Sequence, residues 1–190
     1  METSEYIAKG GQVVLFEGMT NVTASISSTA IEIVPLAGLD LSNTFIEAVW
    51  IPSTSANLPT PQLTSTGISV IYPGGASGTH ANRVLHWRVI QDKAIKNIIR
   101  GVTQHANPRD PSGDTLDTGG NWVSVHTIPN VDINKAVIRL VQSFDKSLYS
   151  FTGHMLGAWQ LGYFLNSTTF CVPWTTNNGG GTISYQILEY

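Results

Sequence analysis

The sequence predicts an all-β chain made of two tandem small antiparallel β-sandwich units. Three observations point there. Apolar residues alternate with polar ones in short runs rich in Val, Ile, Thr and aromatics, the period of a strand with one buried face. Gly and Pro, 18 and 9 of the 190 residues, join many Thr, Ser and Asn in breaking those runs at close intervals. The order of events in the first half of the chain also recurs in the second, the mark of an internal duplication.

The closing stretch shows the pattern best. Ile183, Tyr185 and Ile187 alternate with Thr182, Ser184 and Gln186, so the apolar set is expected inward and the polar set outward. Leu85, Trp87 and Val89 take the same places in an earlier stretch, with His86 and Arg88 for Ser184 and Gln186. Each unit is expected to end on such a strand.

Taken in order, residues 1–12 read as an arm ending at the flexible Gly10-Gly11, suited to assembly contacts. A buried-type run from Val13 ends at Gly18, and Val22, Ala24 and Ile26 begin a new alternation. Ile31 and Ile33 precede a turn between Pro35 and Gly38, and Asp40-Leu41-Ser42-Asn43 precedes the strand Thr44 to Ile51. After a polar loop come Leu63 to Thr66, the strand Ile68 to Tyr72, the Gly-rich turn at Gly74 to Gly78, and the closing strand through Gln91.

The second half answers in the same order. Ile98 to Thr103 matches Leu15 to Thr20; Trp122 to Thr127 is the next strand; Asp132 falls in the place of Asp40, and Val137 to Val141 matches Phe45 to Val49. Leu165 to Thr168 answers Leu63 to Thr66, and Phe170 to Val172 answers Ile68 to Val70. Spacing between matched residues widens twice, which places insertions in the second copy at Asn107 to Gly120 and around Leu148 to Leu156. Longer loops on an unchanged scaffold are where function concentrates. The expected division is an arm (1–12), a first unit (13–92) and a second unit (93–190), with at most a helical turn at Ala94 to Ile98.

Composition narrows the function classes. Hydrophobic residues at 42% and charged residues at 12% support a packed core. A net charge of −3 with scattered basic residues gives no footprint for phosphate backbones, so no nucleic-acid partner is expected. The lone Cys171 rules out an intramolecular disulfide. The acidic, polar first residues do not read as a secretory leader, and no run approaches the about 18 apolar residues of a membrane helix. Synthesis in a cytoplasm and no membrane partner are expected.

No catalytic set or cofactor is expected either. His80, His86, His105, His126 and His154 lie far apart, outside any nucleophile-elbow or zinc-helix context. His86 and His126 read as surface or interface positions of strands, and Cys171 as a small buried hydrophobe. Asp110, Asp114 and Asp117 sit in a Gly-containing stretch that can wrap a hard cation, but their spacing is not that of an EF-hand loop, so a solvated or neighbour-contacting loop is the preferred reading. Asp40 and Asp132 read as structural turn residues that bond the backbone two residues on. Trp159, Leu161 and Tyr163 alternate as one strand with core or interface burial. Tyr149, Phe151 and His154, with Asp114, are the candidates for an interface or ligand loop, since exposed aromatics fill a partner's pocket or stack on a sugar.

A set of motifs in the second half carries a resemblance. Arg100-Gly101-Val102-Thr103, the segment Pro129 to Ile138, Leu165 to Thr169 and the closing Tyr185 to Tyr190 resemble a small β-sandwich module common in virion proteins of tailed bacteriophages. In that module the closing strand often reads Trp-Gln-Val-Val-Glu-Phe, which Trp87 to Gln91 also resembles. The first half departs from it, with Glu17 where the second has Arg100. The resemblance implies a non-enzymatic structural component of a phage virion, in the tail, fibre, collar or head decoration, made in the host cytoplasm. Its implied partners are other virion proteins and further copies of itself. Two alternatives stand beside it: a receptor-binding module recognising host cell-surface carbohydrate, and a jelly-roll capsid subunit in which the whole chain shares one sandwich.

Overall fold

Among the described residues, 11–22, 30–51, 60–71, 83–104, 122–144, 162–174 and 181–190, the computed structural model contains only strands and turns. The strands are β1 (Gln12–Val22), β2 (Ile31–Pro35), β3 (Thr44–Ile51), β4 (Thr60–Thr64), β5 (Gly67–Ile71), β6 (Arg83–Asp92), β7 (Asn97–Gln104), β8 (Trp122–Thr127), β9 (Ala136–Phe144), β10 (Tyr163–Asn166), β11 (Thr169–Trp174) and β12 (Gly181–Glu189). They form four three-stranded antiparallel sheets, β1-β6-β3 and β2-β5-β4 in the first half, β7-β12-β9 and β10-β11-β8 in the second.

The strand order is the same in both halves. The first strand pairs with the sixth and the second with the fifth, so each half wraps as a folded-over hairpin, the path of a jelly roll with fewer strands. Among the described residues no sheet mixes strands from the two halves. The halves therefore do not share the single continuous sandwich that a whole-chain jelly roll requires.

Period-2 alternation places the cores. In the first half, Ile46, Trp50, Leu85, Trp87 and Val89 from one sheet meet Val34, Leu63, Ile68 and Val70 from the other. In the second, Leu140 and Ile187 meet Phe170, Val172, Ile128 and Val131. Strand β6 follows the expected parity, with Leu85 and Val89 fully buried and Arg88 exposed.

Gly18 does not end its strand as the sequence suggested; β1 continues through it to Val22. The reason is a close approach. Gly18 pairs with Trp87, and a Cβ on Gly18 would stand 2.9 Å from the Trp87 ring. The Trp87 indole N–H donates to Thr20 Oγ1 at 3.0 Å, fixing the ring there. Gly101 pairs with Tyr185 in the second half, and a Cβ there would collide with that ring. Glycine in both strands makes room for the aromatic side chain of the closing strand.

The match of Leu165 to Leu63 also needs correction. Leu63 pairs with Ile68, but the residue opposite Phe170 is Phe164, and the register shifts between Phe164 and Asn166. This bulge turns Leu165 outward, 45% exposed, and sends Phe164 to the core. Strand β10 holds Tyr163, which is 42% exposed rather than buried; Trp159 and Leu161 lie outside the described residues. Gln12, read from the sequence as part of the arm, already pairs with Asp92 in β1; residues 1–10 lie outside the described residues.

Gly67 closes the β4–β5 turn at φ +148°, where a Cβ would strike the Val34 carbonyl and stand 2.9 Å from the Leu36 nitrogen. Both obstacles are backbone and cannot rotate away. Gly67→Ala should lower stability by about 3 kcal/mol, read as a shift of the urea unfolding midpoint at unchanged slope. A loss under about 0.5 kcal/mol, the range of a neutral surface change, would overturn this account of the turn.

Candidate functional site

The most developed constellation among the described residues is the join between the two halves. It begins at the turn after β6. Asp92, 2% exposed, accepts the Ala94 N–H at 2.9 Å through one carboxylate oxygen and the Gln12 side-chain amide at 3.0 Å through the other. The Ile95 N–H donates to the Asp92 carbonyl, and the Lys96 N–H to the Glu189 carbonyl. These bonds seat the connection directly on the last strand. Phe45, Ile90, Ile95 and Leu188 then close a small third core between the halves, with Val14, Ile98 and Tyr190 around it. Burial and the nearby Asp92 carboxylate push the Tyr190 phenol above its ordinary pKa.

The face of β7-β12-β9 turned away from its own core does not meet solvent at this end. Strand β12 presents Gln186, expected outward, yet it is 2% exposed. Its side-chain amide donates to the Ile46 carbonyl at 2.8 Å and accepts the Ile46 N–H at 2.9 Å. Strand β3 is an outer strand of its sheet, so Ile46 presents a backbone pair with no neighbouring strand to bond. Gln186 supplies the missing partner. A primary amide carries both donor and acceptor, which is why glutamine serves here and a carboxylate or an amine would not.

Two arginines flank it in register. Arg100 and Arg139 are the cross-strand partners of Gln186 on β7 and β9. Arg100 donates to the Leu41 carbonyl at 2.7 Å and to the Thr44 carbonyl. Burial lowers its pKa from the ordinary arginine value, since the desolvated charge is compensated only by carbonyl dipoles. Arg139 bonds Glu47 at 2.7 Å and lies over the Phe45 ring, 4.8 Å from its centroid. The corresponding row of the first half is Glu17, Arg88 and Glu47, where Arg88 pairs with Glu17 at 3.3 Å in the open.

The sequence-derived candidates fall elsewhere. Asp110, Asp114 and Asp117, and likewise Tyr149, Phe151 and His154, lie outside the described residues. Asp40 accepts the Ser42 N–H at 3.0 Å, and Asp132 accepts the Asn134 N–H at 3.1 Å. Both carboxyls lie below their ordinary pKa, Asp40 through its bonds from Ser42 and Asp132 first through Lys135, 3.1 Å away. The Asp132 N–H donates to Glu189 Oε1, whose other oxygen accepts from Asn97, so that turn is tied to the end of β12. Among the described residues no three His, Cys, Asp or Glu gather into a metal-holding group, and no helix is long and apolar enough to cross a membrane.

His126 is not a surface residue. It pairs with the fully buried Phe170, so it shares that residue's inward face, 7% exposed, with ring centroids 5.0 Å apart. Its Nδ1 stands 3.1 Å from Thr103 Oγ1. The sequence placed it at an outward position of its strand; pairing with β11 decides the opposite. Burial depresses the His126 pKa to about 4. Cys171, on the opposite face of β11, is fully buried and its thiol is pushed up by that burial.

Compared with protein-family models, with curated proteins and with solved structures, the chain matches none.

Two outcomes follow from this geometry. Gln186→Leu leaves the Ile46 N–H and C=O buried without partners and should cost about 2–4 kcal/mol. Glu47→Ala, which breaks a half-exposed ion pair, should cost no more than about 1 kcal/mol. Equal urea midpoints for the two variants would remove Gln186 from its place in the join. For His126 the folded protein binds its proton more weakly than the unfolded chain does. Its contribution to stability is therefore complete above the ordinary histidine value of about 6.5 and is lost as pH falls toward 4. Thermal melts from pH 7 to 4 should show a falling Tm that flattens in His126→Phe; an unchanged slope would assign the acid sensitivity to other groups.

Proposed function

We infer that this chain is a non-enzymatic structural component of a bacteriophage virion, made of two copies of one duplicated module and acting through protein–protein contacts. The observation that carries this reading is the join. The outer face of the second unit's sheet is spent on capping the edge of another sandwich, with Gln186 bonded to the backbone of Ile46. A sheet face given to sheet-edge contact serves assembly, and small sandwiches gain through such packing the burial each lacks alone. The module resemblance of Arg100 to Thr103, Pro129 to Ile138 and the closing strand supplies the virion context. Support for a common origin of the units comes from their identical strand order and from the glycine beneath the closing-strand aromatic in each, Gly18 under Trp87 and Gly101 under Tyr185.

Purified particles produced from the encoding genome provide the test. Mass spectrometry should find the chain at many copies per particle, and a nonsense codon early in its gene should halt assembly or leave particles lacking one feature in electron micrographs. Complete, infectious particles without the chain would overturn the reading. If such particles also lost adsorption while the purified chain bound a glycan array, carbohydrate recognition would replace it.

A further inference from the structure

The contacts that hold the join fall into two groups. One group lies between surfaces: Gln186 on the backbone of Ile46, Arg100 on the carbonyls of Leu41 and Thr44, Arg139 on Glu47, and the seam of Phe45 and Ile90 against Leu188. None of these requires the two units to belong to one chain. The other group bends the connection, residues 93–96 between β6 and β7. The Ala94 N–H donates to the Asp92 carboxylate at 2.9 Å and the Ile95 N–H to the Asp92 carbonyl at 3.1 Å, a turn with Asp92 at its first position. Ile95 is buried in the seam and the Lys96 N–H is bonded to Glu189, so both go with the second unit, and the bend itself is Lys93-Ala94. These two residues are exposed, and neither is a Gly, Pro, Asn or Asp that would favour a turn by itself. The bend rests on Asp92.

We propose that the join is exchangeable: with the Lys93-Ala94 bend opened, β6 runs on into β7 and two copies trade second units, each capping the β3–β4 edge of the other. The face that covers the edge between copies is the one that covers it within a chain, so every contact of the first group is remade and no new surface is needed. Swapping an identical element costs little for this reason, since only the hinge differs between the two forms. Each chain crosses once, which closes the pair as a two-fold dimer with two joins. Asp92 sets the balance, because its carboxylate and carbonyl hold the bend closed. A short connection keeps the two units of one chain at an effective concentration of about millimolar. The closed chain therefore prevails in dilute solution, and the exchanged pair forms where copies are concentrated. This inference stands on the join alone and does not need the virion reading.

The test uses the full-length chain and reverses one charge pair of the join by halves. Glu47→Arg sets two positive charges against each other within a chain, and Arg139→Glu sets two negative ones; each variant is first shown by its melt to fold. Opposite charges meet again only when the first unit of one variant joins the second unit of the other. Parent, variants and their equimolar mixture are refolded from urea at near-millimolar concentration and sized by sedimentation. The parent should yield a dimer that refolding at micromolar concentration does not. The mixture should yield at least about tenfold more dimer than either variant alone, with one chain of each kind in the native mass spectrum. Ala94→Pro, which removes the N–H that Asp92 holds, should raise the dimer fraction of the otherwise unchanged chain by a similar factor. A parent monomeric after every refolding, no gain on mixing, or Ala94→Pro without effect would overturn the proposal. A chain that never exchanges yet is abundant in particles would sink this device and leave the assembly reading standing; one that exchanges but is absent from particles would do the reverse.

Discussion

An outer strand of a sheet ends in backbone groups that want a partner, and the arrangement of this protein depends on how one such pair is met. Ile46 lies in β3 with its side chain in the first core and its N–H and C=O directed off the sheet. Left to water these groups cost nothing; covered by another unit they must be bonded. The Gln186 amide bonds both, so the second unit can lie over the edge without burying an unpaired polar pair. The apolar seam of Phe45, Ile90, Ile95 and Leu188 then supplies the burial, and the amide sets the register at which it forms.

The arginines beside Gln186 act differently from one another. Arg100 is held by backbone carbonyls of the turn and the start of β3, a recognition of main chain that tolerates side-chain change in its target. Arg139 reaches a side chain, Glu47, and an aromatic face, so its contribution depends on both. The half-exposed ion pair orients, and the buried amide pair and apolar seam hold. Comparing the two register rows shows how one scaffold takes two surface roles. Glu17 and Arg88 pair in the open while Glu47, third in that row, reaches across the join to Arg139; Arg100, Gln186 and Arg139 form a row of donors aimed at carbonyl and carboxylate oxygens.

Interior titratable groups follow the same logic of burial. His126 sits on the core face because β8 is registered against β11, and the core keeps it neutral. The turn carboxylates Asp40 and Asp132 are exposed and hold their charge through local donors. Acid therefore acts first on the core of the second unit and only at lower pH on the turns.

The sequence by itself determined the strands, their alternation and the repeated order, because period-2 patterning and turn chemistry are local and are written residue by residue. The inward sets of β6 and β12 at Leu85, Val89 and Ile187, and the turn residues Asp40 and Asp132, were legible for that reason. Only the tertiary structure decided which face of the closing strand stays buried twice. Alternation marks Gln186 as polar and therefore outward, and outward from its own core it is; that the outward side meets β3 depends on residues some 140 positions earlier. Cross-strand register likewise turned His126 inward, carried β1 through Gly18 beneath the Trp87 ring, and bulged Leu165 out. Each depends on which strand lies opposite, a long-range choice that no local pattern encodes.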